Sequence, residues 1–420
     1  MAQTEGLLAI VKVTLSASIR FNTHKGYIGW RSCDNICMDM HDCLDLCEDT
    51  FKLGNYKEAL EVSTYILVSG VKLASHADSS SGMLTDVVMR SFELIGKYAK
   101  RISTQDKQIR DEALTFIIKE SKKKAFDGWT EWRYELLKRG ICLCDEKSAK
   151  KMEKILDAFL ESAEQDYYPE YEKQENLIIR YLLHRELQGK EAVKDELYKN
   201  INIWELCILA INDALEEKDY EEAERLCVDK VKKEEGWYYR RNDPEDGNNI
   251  LFRIYEKSGN VDKQIAQAKK ILFLGNESFW GVLKEIYSKE GIWETQRAQL
   301  LEELKNSGKA ICYRSVLVKE NEKKRLLNDL TENPFDIFYY GQFLVKDYPE
   351  QVYVLCVNDI KESCAQATDR RMYRKVCKDI KQLIKWKGKD YARELIDELK
   401  KTYPRKTALI DELEKVEGKL

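Results

Sequence analysis

The sequence predicts an all-α fold: an α-solenoid of TPR-like helix pairs behind a short strand-like or irregular N-terminal leader. Three observations predict it. Only five prolines and twenty glycines punctuate the 420 residues, and so few breakers favour many helices over many strands. Apolar residues recur every three or four positions through most of the chain, the period of a half-buried helix. One phrase also repeats: an apolar helix, a turn of Gly, Asn, Asp or Lys, an aromatic or apolar residue, then a second amphipathic helix. Its first copy has Trp204 to Ile211, the turn Lys218-Asp219, then Tyr220, Ala223 and Leu226. The second has Ile250 to Tyr255, the turn Gly259-Asn260, then Val261, Ile265, Ala268 and Ile271. The third has Phe279, Trp280, Leu283 and Tyr287, a turn at Gly291, then Trp293, Ala298 and Leu301. These turns recur about every thirty to forty residues, the range of two-helix solenoid repeats. One helix pair cannot cover its own apolar stripe, so neighbouring pairs must stack. Gly or Asn after the first helix suits a left-handed C-terminal cap.

Taken in order, residues 1–31 form the leader. Ile10, Val11, Val13, Leu15 and Ile19 alternate with Thr and Ser there, which reads as strand or irregular chain. Residues 32–200 are expected to be an N-terminal helical array. Its first helix, over 33–53, puts Ile36, Cys37, Met40, Leu44, Cys47 and Phe51 on one face. Gly54-Asn55 then repeats the turn grammar, and residues 76–82 are a Ser-rich connection. Further helices are expected over 83–102, 106–122, 129–139, 148–164 and from Pro169, where a proline in the first turn does no harm. Residues 201–420 carry the TPR-like repeats. They continue through 310–320, 322–330, 335–346, 350–367, 370–386, 390–402 and 407–416, for about twenty helices in all.

Composition excludes several classes. Lys and Arg number 70 against 74 Asp and Glu, a net charge of −4, which argues against a globally basic nucleic-acid binder but not against a local patch. Twelve cysteines lie scattered in apolar phrases. The chain is far too long for a disulfide miniprotein, and its start lacks a signal-peptide layout. Reduced thiols in a cytoplasm are therefore expected. No apolar run approaches the roughly 18–20 residues of a membrane span.

Candidate sites are few. Cys33, Cys37, His41, Cys43 and Cys47 form the most metal-like group. Cys33, Cys37 and Cys47 share their helix side with Ile36, Met40 and Leu44, which is a core stripe, and free cysteine packs as a small apolar residue. Structural zinc usually draws ligands from two segments, so core packing is the expectation and a metal the alternative. Cys142-Leu143-Cys144 lacks nearby partners. The four histidines, His24, His41, His76 and His184, are far apart, and no hydrolase, nucleotide-binding or kinase motif occurs. No catalytic residue and no cofactor is expected. Trp237-Tyr238-Tyr239-Arg240-Arg241 mixes rings with cations, as single-strand binders do, or packs as a repeat helix. The cleanest candidate is a basic face at 370–389. Arg371, Arg374, Lys375, Lys378, Lys381 and Lys385 follow helical spacing, opposite Tyr373, Val376, Cys377, Ile380, Leu383 and Ile384. Such a face suits phosphate or an acidic partner, and it also suits a solvated outer surface.

Several stretches together resemble a known family. Gly26-Tyr27-Ile28-Gly29-Trp30, Gly54-Asn55-Tyr56-Lys57-Glu58-Ala59-Leu60 and the later repeats look like the region after the zinc finger in bacterial SWIM zinc-finger family proteins. Tyr373, Arg370 and Arg374 and the ending from Leu399 through Tyr403-Pro404-Arg405-Lys406 to Leu413 are similar to that region's last helices. The likeness spans most of residues 25–416. The family's metal motif is CxC followed by CxH, N-terminal to the helices. No CxH occurs here, and Cys142-Leu143-Cys144 lies elsewhere, so zinc is not carried over. The resemblance implies a bacterial cytoplasmic protein whose helical array binds something. The expected function is a non-enzymatic scaffold binding protein partners. The alternative is a nucleic-acid-associated accessory factor of a SWIM-type system, using the basic face.

Overall fold

The computed structural model describes residues 6–163, 169–233 and 246–418, and it corrects the reading of the leader at once. Leu7–Asn22 is a helix, α1. Its buried residues are Val11, Leu15, Ser18 and Asn22, a three- and four-residue spacing. The β-branched content of this stretch pointed to a strand, but packing against the next two helices overrides so weak a propensity. What remains of the extended expectation is small. His24 and Tyr27 exchange backbone hydrogen bonds of 2.9 and 3.0 Å, and Ile28 makes an isolated parallel bridge to Ala77.

The protein is all-α with a helical-repeat organisation, twenty-two α-helices and no strand among the described residues. It divides into two compact units, Met1–Glu217 and Lys218–Leu420. The first unit holds α1, α2 (Trp30–Lys52), α3 (Tyr56–Ala74), α4 (Met83–Ile102), α5 (Lys107–Ser121), α6 (Thr130–Arg139), α7 (Glu146–Ala163), α8 (Pro169–Gln188), α9 (Lys194–Lys199) and α10 (Trp204–Glu216). The second holds α11 (Tyr220–Lys233), α12 (Gly247–Ser258), α13 (Val261–Phe273), α14 (Ser278–Lys289), α15 (Trp293–Asn306), α16 (Ala310–Lys319) and α17 (Lys323–Glu332). It continues with α18 (Ile337–Leu344), α19 (Pro349–Gln366), α20 (Arg370–Lys385), α21 (Lys389–Thr402) and α22 (Thr407–Glu417). Helices consecutive in sequence pack on one another for most of each unit. No helix among the described residues is long and apolar enough to cross a membrane.

Each unit has its own apolar core. In the first, Ile36, Met40, Leu44, Leu60, Ile66, Val87, Phe92 and Tyr98 are buried together. In the second, Ala268, Ile271, Leu283, Leu301, Val316, Ile360, Ile380 and Leu395 are. Removing one such Leu or Ile side chain from water is worth about 1.5–3 kcal/mol. The repeated turns take the expected left-handed form: Gly54, Gly259 and Gly291 all have positive φ. Gly259 caps α12 at φ 70°, its N–H bonded back to Glu256.

Half-buried ion pairs tie the later helices of the first unit together. Lys138 on α6 bonds Glu175 on α8 at 3.1 Å and Glu205 on α10 at 2.8 Å. Arg185 on α8 grips Asp213 on α10 with two parallel 2.6 Å hydrogen bonds, the strong fork geometry of a guanidinium on a carboxylate. His184 bridges Glu196 on α9 at 3.0 Å and Glu153 on α7 at 3.4 Å. The bond to Glu196 raises the His184 pKa above its ordinary 6.5.

Gly259→Ala puts a Cβ into a left-handed turn and should cost about 1–2 kcal/mol. Gly281→Ala lies on the exposed side of α14 with open space around it and should instead stabilise by roughly 0.5–1 kcal/mol; urea unfolding of the two variants checks both signs. The stabilisation from protonated His184 is fully present below about pH 6 and is lost as pH rises through its raised folded pKa. His184→Gln should therefore differ from the parent more at acidic than at alkaline pH, and an NMR titration of the ring should give a midpoint above the ordinary value.

Candidate interaction surfaces

The sequence-predicted basic face is present on α20. Tyr373, Val376, Cys377, Ile380 and Leu383 are buried against the core, which leaves Arg371, Arg374, Lys375, Lys378, Lys381 and Lys385 all exposed on the outer side. The helix starts at Asp369, whose carboxylate accepts a 2.8 Å hydrogen bond from the Met372 N–H. An acidic cap is needed here, because cations crowd the positive end of the helix dipole. The six cations are not equivalent. Arg374 lies 3.7 Å from Glu412 on α22, and its neighbour Arg370 bonds Asp411 at 2.6 Å. Glu412 also bonds Lys415, and these cations hold its carboxyl below the ordinary carboxylate range. Lys375 lies in the field of Asp359 on α19 and Asp379, both pushed upward by burial. Arg371, Lys378, Lys381 and Lys385 make no ion pair among the described residues. The solvent-facing charge is thus concentrated along the C-terminal two-thirds of the helix.

A second surface lies in the same unit and was not singled out from sequence. Ile311, Ser315 and Val318 of α16, Tyr339, Tyr340 and Phe343 of α18, and the acids Glu277 and Asp336 line an open groove of about 480 Å³. Ile311 is 61% exposed and Tyr339 60%. The Tyr339 ring meets Tyr340 edge-on at 4.9 Å and Phe343 at 6.2 Å. Glu277 is paired with Lys319 at 2.9 Å.

Arg314 builds the wall of this groove from behind. It is the largest fully buried side chain among the described residues. Its Nε donates to Asp329 on α17 at 2.6 Å, its Nη1 to the Phe335 carbonyl at 2.5 Å and its Nη2 to the Asn333 carbonyl at 2.6 Å. Only a planar guanidinium has donors spaced for all three at once. The bonds fix the loop on either side of Pro334. That loop delivers Asp336 in the left-handed conformation, φ 60°. The Asp336 carbonyl then accepts from the Tyr339 and Tyr340 N–H groups at 2.9 and 3.0 Å, which starts α18 and aims its aromatic face.

The cysteines singled out from sequence are buried or half-buried. Cys33, Cys37, Cys43 and Cys47 are buried in the core, and Cys47 donates to the Cys43 carbonyl at 3.2 Å. Burial raises the thiol pKa of Cys43 to about 11 and that of Cys47 to about 12. His41 sits instead beside Arg90, 3.4 Å from its guanidinium. Among the described residues no group of three or more His, Cys, Asp or Glu side chains is arranged to hold a metal ion. Cys142 and Cys144 face the carbonyls of Arg139 and Gly140 at 3.8 Å. Trp237 to Arg241 lie outside the described residues. Sequence reading also passed over Lys147, Lys150, Lys151 and Lys154, exposed on one side of α7. Their three- and four-residue spacing is the signal that found α20, but α7 is interrupted by acids at Glu146 and Glu153.

No family model, no curated protein and no solved structure matches this chain.

Arg314→Met keeps the bulk but leaves the Asp329 carboxylate and two carbonyls without their donor. Breaking one side of a buried charge pair costs about 3–5 kcal/mol. The variant should unfold at correspondingly lower urea, and proteolysis should open first between residues 333 and 336.

Proposed function

We propose that this chain is a non-enzymatic helical-repeat scaffold that binds protein partners in the bacterial cytoplasm. The observation that carries the reading is the groove of α16 and α18. A cluster of exposed aromatic and aliphatic side chains lining a groove is the chemistry of a protein contact site. Stacked helices supply extended binding surface without a deep pocket. Strongly raised pKa values mark catalytic centres when they converge in a cleft; here the thiols of Cys37, Cys47, Cys356 and Cys377 owe theirs to burial in the core.

A second reading is favoured by one observation of its own. Arg371, Lys378, Lys381 and Lys385 form an exposed cationic row that makes no ion pair among the described residues, which suits contact with phosphates. In this reading the chain is a nucleic-acid-associated accessory factor and stands as the helical half of a SWIM-type system.

Affinity purification from the native cells, with and without nuclease, separates the two. A discrete protein set retained after nuclease treatment is the expected result. Loss of that set on nuclease treatment favours the second reading. In that case binding to an oligonucleotide should weaken steeply with salt, and the triple change Lys378→Glu, Lys381→Glu, Lys385→Glu should abolish it.

A further inference from the structure

We propose that the groove of α16 and α18 receives an extended segment of a partner protein in which a lysine or arginine is flanked by an apolar side chain. This rests on the scaffold reading and names the chemistry of its partner. Asp336 is the left-handed residue that starts α18, and the exposed Tyr339 and Phe343 rings line the groove with it, the buried Tyr340 ring behind them. The Asp336 carboxylate makes no capping hydrogen bond at the start of α18 and no ion pair among the described residues. Glu277, across the groove, is already met by Lys319. The groove therefore holds one carboxylate without a cation.

The rings beside that carboxylate are arranged for a positive charge. A cation is attracted to the face of an aromatic ring within about 6 Å. Tyr340 already demonstrates the interaction from its inner side, where the Arg314 guanidinium lies 5.6 Å from the ring centroid. Among the described residues no cation lies over Tyr339 or Phe343, and their rings stand at 69° to each other, which gives a cationic head two differently oriented surfaces. The opposite wall is aliphatic, Ile311 and Val318, and suits the apolar neighbour. A phosphate or an acidic peptide would face Asp336 and Glu277 in repulsion. A purely apolar helix would cover the Asp336 carboxylate and leave it unpaired, at a desolvation cost. A lysine or arginine beside a leucine, isoleucine or phenylalanine meets both walls.

The test is an array of acetylated, amidated peptides of random sequence probed with the full-length protein, followed by fluorescence anisotropy on the selected peptide. Two variants accompany it. Asp336→Asn removes the charge and keeps a residue that tolerates the left-handed conformation. Tyr339→Ala truncates an exposed ring that contributes little to the core. Circular dichroism confirms that both fold. The expected result is selection of Lys or Arg next to an apolar residue, with each variant weakening the selected peptide about tenfold. Replacing the peptide's cation by norleucine should erase the difference between Asp336→Asn and the parent. Lys257→Gln, exposed on α12, should bind as the parent does. Selection of acidic peptides, no selection at all, or unchanged affinity in both variants would overturn the proposal. If partners still co-purify with the doubly substituted protein, the groove assignment fails while the scaffold reading stands. If the parent retains no partner, the scaffold reading itself fails.

Discussion

The guanidinium of Arg314 is the constraint on which the front of the second unit depends. It is a buried charge with a carboxylate on α17 and two backbone carbonyls of the loop that follows as partners. Burying a cation is costly unless each donor is used, and here Nε and both terminal nitrogens donate. Two of these bonds satisfy carbonyls that a proline-broken loop leaves without helical partners. The loop then has one conformation, α18 has one starting point, and Tyr339 and Phe343 project from the protein in a fixed register. An arginine in the core thus determines the position of two rings on the surface.

The groove and the cationic face are built on helices that touch. A Cβ added at Gly341 of α18 would lie 3.0 Å from the Trp386 ring and 3.2 Å from Val352. Trp386 follows α20 directly and stacks on Phe338 of α18 at 6.1 Å. The Tyr353 hydroxyl of α19 donates to the Trp386 carbonyl at 2.5 Å. The missing side chain at Gly341 lets α18 come close enough for this set of contacts. A shift of α18 on filling the groove would therefore be felt at the C-terminal end of the cationic row, near Lys385.

Much of the fold was legible because period is a strong signal. The stripes of α2, α12, α14 and α20 could be read directly, and the left-handed turns at Gly54, Gly259 and Gly291 followed from their glycines. The leader was misread because Ile10, Val11, Val13 and Ile19 argue for a strand locally, while Val11, Leu15 and Ser18 find a helical partner only in three dimensions. The basic face was legible for the same reason as the core: charge and apolar residues alternate at helical period. Its partial neutralisation was not, since Asp359, Asp411 and Glu412 come from helices ten to forty positions away in sequence. The groove was hidden because Tyr339, Tyr340 and Phe343 have the spacing of an ordinary core stripe. Only the surrounding helices decide that Tyr340 turns inward and Tyr339 outward. Arg314 gave no signal at all, being one cation among seventy.

The cysteines have a consequence of a different kind. Of the twelve, all but the half-buried Cys142 are buried, and a thiol reacts as its thiolate, which burial disfavours. The folded chain should thus consume alkylating reagent mainly at one position, and the others only as each helix opens. Because the thiols run from α2 to α20, the order in which they become reactive would chart local opening along the array. The molecule carries its own clock for breathing motions, with no probe added.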